Sequence, residues 1–308
     1  MRKTCLSCIY ELAKKDSRVV FIGSDIGAGT LDEFKRDFPD RFFMEGISEQ
    51  NIIGMTAGLA LSGKIVYVNT IATFLTRRCY EQILLDLALH QANVRLIGSG
   101  GGFVYAPLGP THEATEDIAI MRAIPNMTVI APADAEEMKR LMPQTVNWKG
   151  PIYIRLGKGG DPIVTSPELG FDVGEPILMK KGKDVLIIST GIMLGCCLEA
   201  SENLESSGIS CGVLHVHTLK PLNEKVFLKE IENANIIVTV EEHSINGGLG
   251  EATAAIIAEA NFKEVKKFRR IGIPDVFPEI YGSQKQLLEK YGLTADNIED
   301  TVLKLREG

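Results

Sequence analysis

The chain has 308 residues, 45% of them apolar and 24% charged, with a formal net charge of −7. That composition is ordinary for a folded protein and the length suits two domains, each burying its own core, which excludes a disordered or coiled-coil chain. The acidic balance without any basic block weighs against a nucleic-acid or anionic-membrane surface, and no run approaches the ~18 apolar residues of a membrane span.

The first residues run straight into an amphipathic helix, without the apolar stretch and small-residue cleavage site of a signal peptide, so a cytoplasmic chain is expected. Cys5 and Cys8 lie on that helix as a lone C-x-x-C pair. With no second pair and no His pair nearby, four zinc ligands cannot be gathered locally, and reduced structural thiols are expected.

Strands and helices then alternate to the end. Strands are expected at 18–23, 41–44, 64–69, 93–98, 128–130 and 152–155, which reads as one doubly wound parallel α/β domain over 1–165. Beyond 157 the pattern gives way to Gly, Pro, Lys and Asp, so a linker is expected at 166–180. A second β/α series, at 184–189, 212–217, 235–241 and 266–272, makes a smaller Rossmann-like domain over 181–308. Its Asn246-Gly247-Gly248-Leu249-Gly250 follows a strand and opens a helix. The spacing is not G-x-G-x-x-G, so a tight turn before a helix is expected there rather than a nucleotide site.

The segment Phe43-Met44-Glu45-Gly46-Ile47-Ser48-Glu49-Gln50-Asn51 carries Glu49 out of a short apolar strand and onto the first turn of an apolar helix that ends at Ser62-Gly63. By itself such an acid is explained by the positive end of the helix dipole. It also stands at a strand-to-helix junction, where open α/β sheets bind ligands. Three more segments follow: Thr73-Phe74-Leu75-Thr76-Arg77-Arg78-Cys79-Tyr80-Glu81-Gln82, then Gly109-Pro110-Thr111-His112-Glu113, then the stretch from Met121 to Asp134. In that order the four resemble the transketolase family, the first matching its Gly-Ile-(Ala/Ser)-Glu-Gln-Asn signature. The resemblance covers nearly the whole chain and is nearest to the C-terminal section of a transketolase encoded as two polypeptides.

The resemblance implies a thiamine diphosphate pyrimidine-binding domain followed by a transketolase C-terminal domain. In the family the signature glutamate, here Glu49, hydrogen-bonds N1′ of the aminopyrimidine and so promotes loss of the thiazolium C2 proton; the cofactor carries the chemistry. Ile47, Ile52, Ile53 and Phe74 are expected to wall the carboxyl group and oppose its ionisation. Phe74 and Tyr80, expected on one helix, match aromatic positions lining the pyrimidine pocket. Arg77 or Arg78 matches a position able to stack on the cofactor, and Asp25 matches an aspartate close to it. His112 matches a histidine aimed at the substrate carbonyl; Arg155 matches an arginine that holds the sugar phosphate, with Arg2 a second candidate.

Departures bear on specificity. Leu108 stands where ordinary transketolases carry an aspartate that reads a sugar hydroxyl, and Gly100 and Gly29 stand where other polar contacts to substrate are made. The family's Gly-Asp-Gly motif, which with a later Asn ligates Mg²⁺ and the diphosphate, does not occur in this sequence. The resemblance therefore implies a partner, an N-terminal subunit carrying that domain, in an α2β2 assembly. The β component of a 2-oxo acid dehydrogenase, a deoxyxylulose-phosphate synthase-like enzyme and a non-catalytic scaffold subunit remain alternatives.

Overall fold

The structure, a computed structural model, describes residues 1–24, 29, 31–157 and 159–307. Its contacts fall into two units, Met1–Gly101 with Ile120–Phe171 and Gly102–Ala119 with Asp172–Gly308.

In the first unit β1 (Val19–Gly23), β2 (Phe42–Met44), β3 (Ile65–Ile71), β4 (Val94–Ser99), β5 (Thr128–Ile130) and β6 (Ile152–Leu156) pair in parallel, in the order β5-β6-β4-β3-β1-β2. The strands expected from the sequence are all present. β1, β4 and β6 are buried at every position, as continuous Val/Ile-rich runs must be when both faces of a parallel sheet are covered. From β1 the chain moves to β2 on one side and to β3 on the other, so the order switches at β1 and β3. The carboxyl ends of strands at such a switch point are where open α/β sheets take ligands.

Two side-chain arrangements stiffen this unit. The Arg2–Lys15 helix packs on the Ala135–Thr145 helix, with Cys5 buried against Met142. Cys5 and Cys8 are free thiols, and burial pushes both upward from the usual thiol range. Arg95, on β4, is fully buried and donates to the carbonyls of Thr145, Trp148 and Gly150 at 2.7, 2.7 and 2.9 Å. Burial pulls its guanidinium down to about 10, the cost of desolvating a cation that the nearby Tyr67 only partly offsets.

The second unit is a five-stranded sheet in the order Lys267–Ile273, Ile236–Ser244, Val185–Ser189, Cys211–His215 and Ile177–Lys180. The pairs are parallel except the last, which is antiparallel. Ile177–Lys180 falls inside the segment expected to be a linker. It is a half-buried edge strand of four residues, too short and too close to Gly174 and Pro176 for any period to show.

Residues 102–119, counted with the first domain in chain order, pack with the second unit instead. The reason is local: Phe103 is buried and stacks on Tyr291, with ring centroids 5.4 Å apart. The glycine-rich turn before the Leu249–Glu259 helix is also a structural device. The Glu241 carboxylate accepts the Leu249 and Gly250 N–H groups at 2.7 and 2.8 Å, so the helix start is already satisfied from within the chain. Among the described residues, no helix is long and apolar enough to cross a membrane.

Candidate active site

Glu49 is placed by a turn built from its own neighbours. β2 ends at Met44, Glu45 N–H donates to Gly23 O at 3.0 Å, and the Ser48 hydroxyl donates to Glu45 O at 2.9 Å. Gly46 makes the turn with φ +68°, a backbone conformation open to glycine. The Glu49–Leu61 helix starts on the next residues and closes as expected at Ser62-Gly63. There Gly63 N–H donates to Ala60 O at 3.0 Å and Lys64 N–H to Leu59 O at 3.1 Å, a Schellman end. The carboxyl group thus stands at the first helical turn, beyond the carboxyl edge of the sheet, and is only 4% exposed.

An arginine answers it. Arg78 Nη1 donates to Glu49 Oε2 at 2.8 Å, while the guanidinium lies over the Phe74 ring, 4.3 Å from its centroid. Gln50 Nε2 donates to the Arg78 carbonyl at 3.0 Å, tying the two segments together from the residue beside Glu49. Both candidate arginines are exposed, and it is Arg78 that meets the glutamate. Cys79 is buried next to the pair. Burial, reinforced by the Glu49 charge, pushes its thiol up to about 12.

Two expectations change. Ile47 does not wall the carboxyl group: the turn at Gly46 sends it outward, 75% exposed in this chain, while Ile52 and Ile53 are both buried. Phe74 and Tyr80 do not share one helix. The Ala72–Thr76 helix stops, a new turn begins at Tyr80–Gln82, and the backbone widens into a π-helix over Ile83–Ala88. Such widened turns recur at functional sites. The break at 77–79 lets Arg78 swing back over Phe74 to reach Glu49.

Toward their carboxyl ends, β1 and β3 also lead to buried polar residues that no sequence motif marks. Asn69, two residues before the end of β3, is fully buried and donates to Ile97 O and Ser99 Oγ at 3.1 and 2.9 Å. Ser24, just past β1, donates to Thr70 at 2.9 Å. Their signal is a polar residue closing an otherwise apolar strand on the carboxyl edge, a pattern that motif matching passes over.

The remaining candidates take no part in these contacts. Arg155, on β6, is 7% exposed, and Arg2 is half-buried at the first residue of the N-terminal helix. His112 belongs to the second unit, half-buried, with Nδ1 2.9 Å from the Thr111 hydroxyl and its backbone N–H donating to Gly109 O at 2.9 Å. Leu108, in the same loop, is 51% exposed. Asp25 lies outside the described residues.

Comparison with known proteins gives this geometry a family. The family model "Transketolase, pyrimidine binding domain" matches residues 1–160, and "Transketolase, C-terminal domain" matches 174–298. The chain belongs to the transketolase family. This transketolase-family chain is 38% identical over 307 residues to a putative transketolase C-terminal section of Methanocaldococcus jannaschii, spanning 99% of this chain and 95% of that one. It is also 38% identical over 299 residues to the 6-deoxy-6-sulfo-D-fructose transketolase subunit SqwH of Clostridium sp. (strain MSTE9), spanning 97% and 92% of the two. Among solved structures, the split gene transketolase described as an inactive beta4 tetramer superposes with a TM-score of 0.90 at 37% identity, covering 99% of this chain and 97% of that one. These three are described as a C-terminal section, a subunit and a split-gene protein, and each is matched over more than nine-tenths of its own length.

Proposed function

We propose that the chain works as the C-terminal subunit of a two-component transketolase that uses thiamine diphosphate to move a two-carbon ketol unit between sugar or sugar-phosphate substrates. The observation that carries this reading is the buried Glu49 carboxyl group, fixed on a first helical turn by a guanidinium that lies on an aromatic ring.

These residues fit the aminopyrimidine end of the cofactor. A heteroaromatic ring needs a flat apolar face and an acid at its edge, and Phe74, Tyr80 and Glu49 are of those types. When bound, thiamine diphosphate supplies the carbon nucleophile that opens the ketose. Glu49 would hold a proton against N1′, while Arg78 keeps the carboxyl oriented and Cys79, protonated and buried, fills the space behind without competing as a nucleophile.

His112 would donate to the substrate oxygen on which charge develops, and Arg155, with Arg2, would hold the anionic end of the sugar. Leu108 offers no acceptor to a sugar hydroxyl, which favours a substrate other than the usual pentose phosphate.

The diphosphate and its Mg²⁺ fall to a partner, an N-terminal subunit, in an α2β2 assembly. One observation supports this. Met44, Ile47, Leu61, Leu85 and Leu89 of the first unit are 41 to 75% exposed, apolar side chains that a partner would cover.

Titration calorimetry with thiamine diphosphate and Mg²⁺, with and without the partner, tests the reading. The chain alone should bind weakly and turn over nothing, and the mixture should bind tightly and transfer ketol units. Tight binding and turnover by the chain alone would overturn the two-component reading.

A further inference from the structure

The loop that carries His112 is held by backbone bonds to three consecutive residues at the end of the Ile236–Ser244 strand. Gly102 and Ala114 close the loop on itself, Gly102 N–H donating to Ala114 O at 2.8 Å and Ala114 N–H to Gly102 O at 3.1 Å. Next to that bridge, Glu242 Oε1 accepts the Phe103 N–H at 2.9 Å and a Gln284 side-chain N–H at 2.8 Å. On the returning leg, Ser244 N–H donates to Thr115 O at 2.7 Å. His243 Nε2 accepts the Ala119 N–H at 3.2 Å, and Nδ1 lies 2.7 Å from Ser244 O, which puts the ring proton on Nδ1 and leaves Nε2 an acceptor.

The fit is close and dry. Glu242 is 3% exposed and His243 fully buried. Gly102 has φ +60°, and a Cβ there would stand 2.4 Å from the Glu242 carboxyl carbon, so the loop backbone lies directly on the side chain that holds it. Between these anchors the tip, with Leu108 and Thr111, is exposed. A substrate group has to be held to a fraction of an ångström, since a misplacement of about 1 Å can cost ~10²-fold in rate. A loop tip has that precision only if both of its legs are fixed.

We propose that Glu242 and His243 are positioning residues of the C-terminal unit that fix the His112 loop for substrate binding. The inference rests on the transketolase reading, in which His112 meets the substrate. It gives the C-terminal unit a task in catalysis, although Glu242 and His243 themselves touch only the loop.

Glu242→Ala and Glu242→Gln, each assembled with the partner, test it. The alanine variant should raise the ketose KM or lower kcat/KM at least about tenfold, leave the dependence on thiamine diphosphate unchanged, and speed amide exchange over 102–119. The glutamine variant keeps an acceptor oxygen and should recover most of the loss. His243→Leu, read in the same assays, serves if Glu242→Ala does not fold. In the unaltered chain the Phe103 and Ala119 amides should exchange as slowly as those of Ile236–Val240, while the Thr111 amide at the tip exchanges fast. Unchanged ketose kinetics in a folded Glu242→Ala enzyme, or fast exchange at Phe103 and Ala119 in the unaltered chain, would overturn the proposal. The exchange measurement needs no substrate, so a slow-exchanging loop without any ketol transfer would count against the functional reading alone.

Discussion

Glu49 and Arg78 divide their work by exposure: the carboxylate is 4% exposed and the guanidinium side chain 44%, so only one of the pair is open to solvent. Replacing Glu49 by Gln keeps the shape and a hydrogen-bonding edge while removing the proton-sharing acid. Turnover of the assembled enzyme should fall on the order of 10²–10⁴-fold, the usual contribution of a positioned proton-transfer group, and deuterium exchange at the cofactor C2 should slow with it. Exchange as fast as in the unaltered enzyme would reduce Glu49 to a helix-terminus acid. Arg78→Ala removes the partner of the buried Glu49 carboxyl group and should cost about 1–3 kcal/mol, read as a lower melting temperature.

At the scale of elements, the sequence was most readable where a single period ran long enough. The Val/Ile runs of β1, β3, β4 and β6 and the apolar Glu49–Leu61 helix stand where their patterns put them. Ile177–Lys180 was hidden because four residues between turns carry no period, and the break at 77–79 because nothing in Arg77-Arg78-Cys79 stops a helix on propensity grounds. The interruption is tertiary: the backbone leaves the helix where Arg78 bonds to Glu49, 29 residues away in sequence. The site was legible to the same degree. Glu49 and Phe74 could be read from a motif, but the Arg78 contact and the polar strand ends at Asn69 and Ser24 arise only on folding. Arg95 is another such case, a charged residue in an apolar strand whose purpose is the 145–150 turn. Arg95→Met should leave at least three carbonyls without a donor, at about 3 kcal/mol or more, and lower Tm by several degrees in a thermal melt.

For the whole molecule, the exposed apolar residues of the first unit are where the proposed partner subunit would be seated. Leu61 and Leu89 are 64% and 67% exposed, so a charge at either should barely change the melting of the chain by itself. If a partner covers them, Leu61→Glu and Leu89→Glu should weaken assembly at least about tenfold, measured by sedimentation of the mixed subunits. Assembly of unaltered strength would move the interface elsewhere.

The passage of residues 102–119 into the second packing unit has a consequence for heredity and for engineering alike. A gene shuffled at the natural-looking seam near 171 would hand the second half to one parent and its loop to another, and the Phe103–Tyr291 stack and the Glu242 bond would have to be met by a stranger's residues. Productive chimeras between relatives should therefore carry two crossovers more than chain order suggests, flanking 102–119, so that the loop travels with the sheet that grips it. Ancestral recombination would have faced the same constraint, making this loop and the distant Glu242-His243-Ser244 segment a single inherited block.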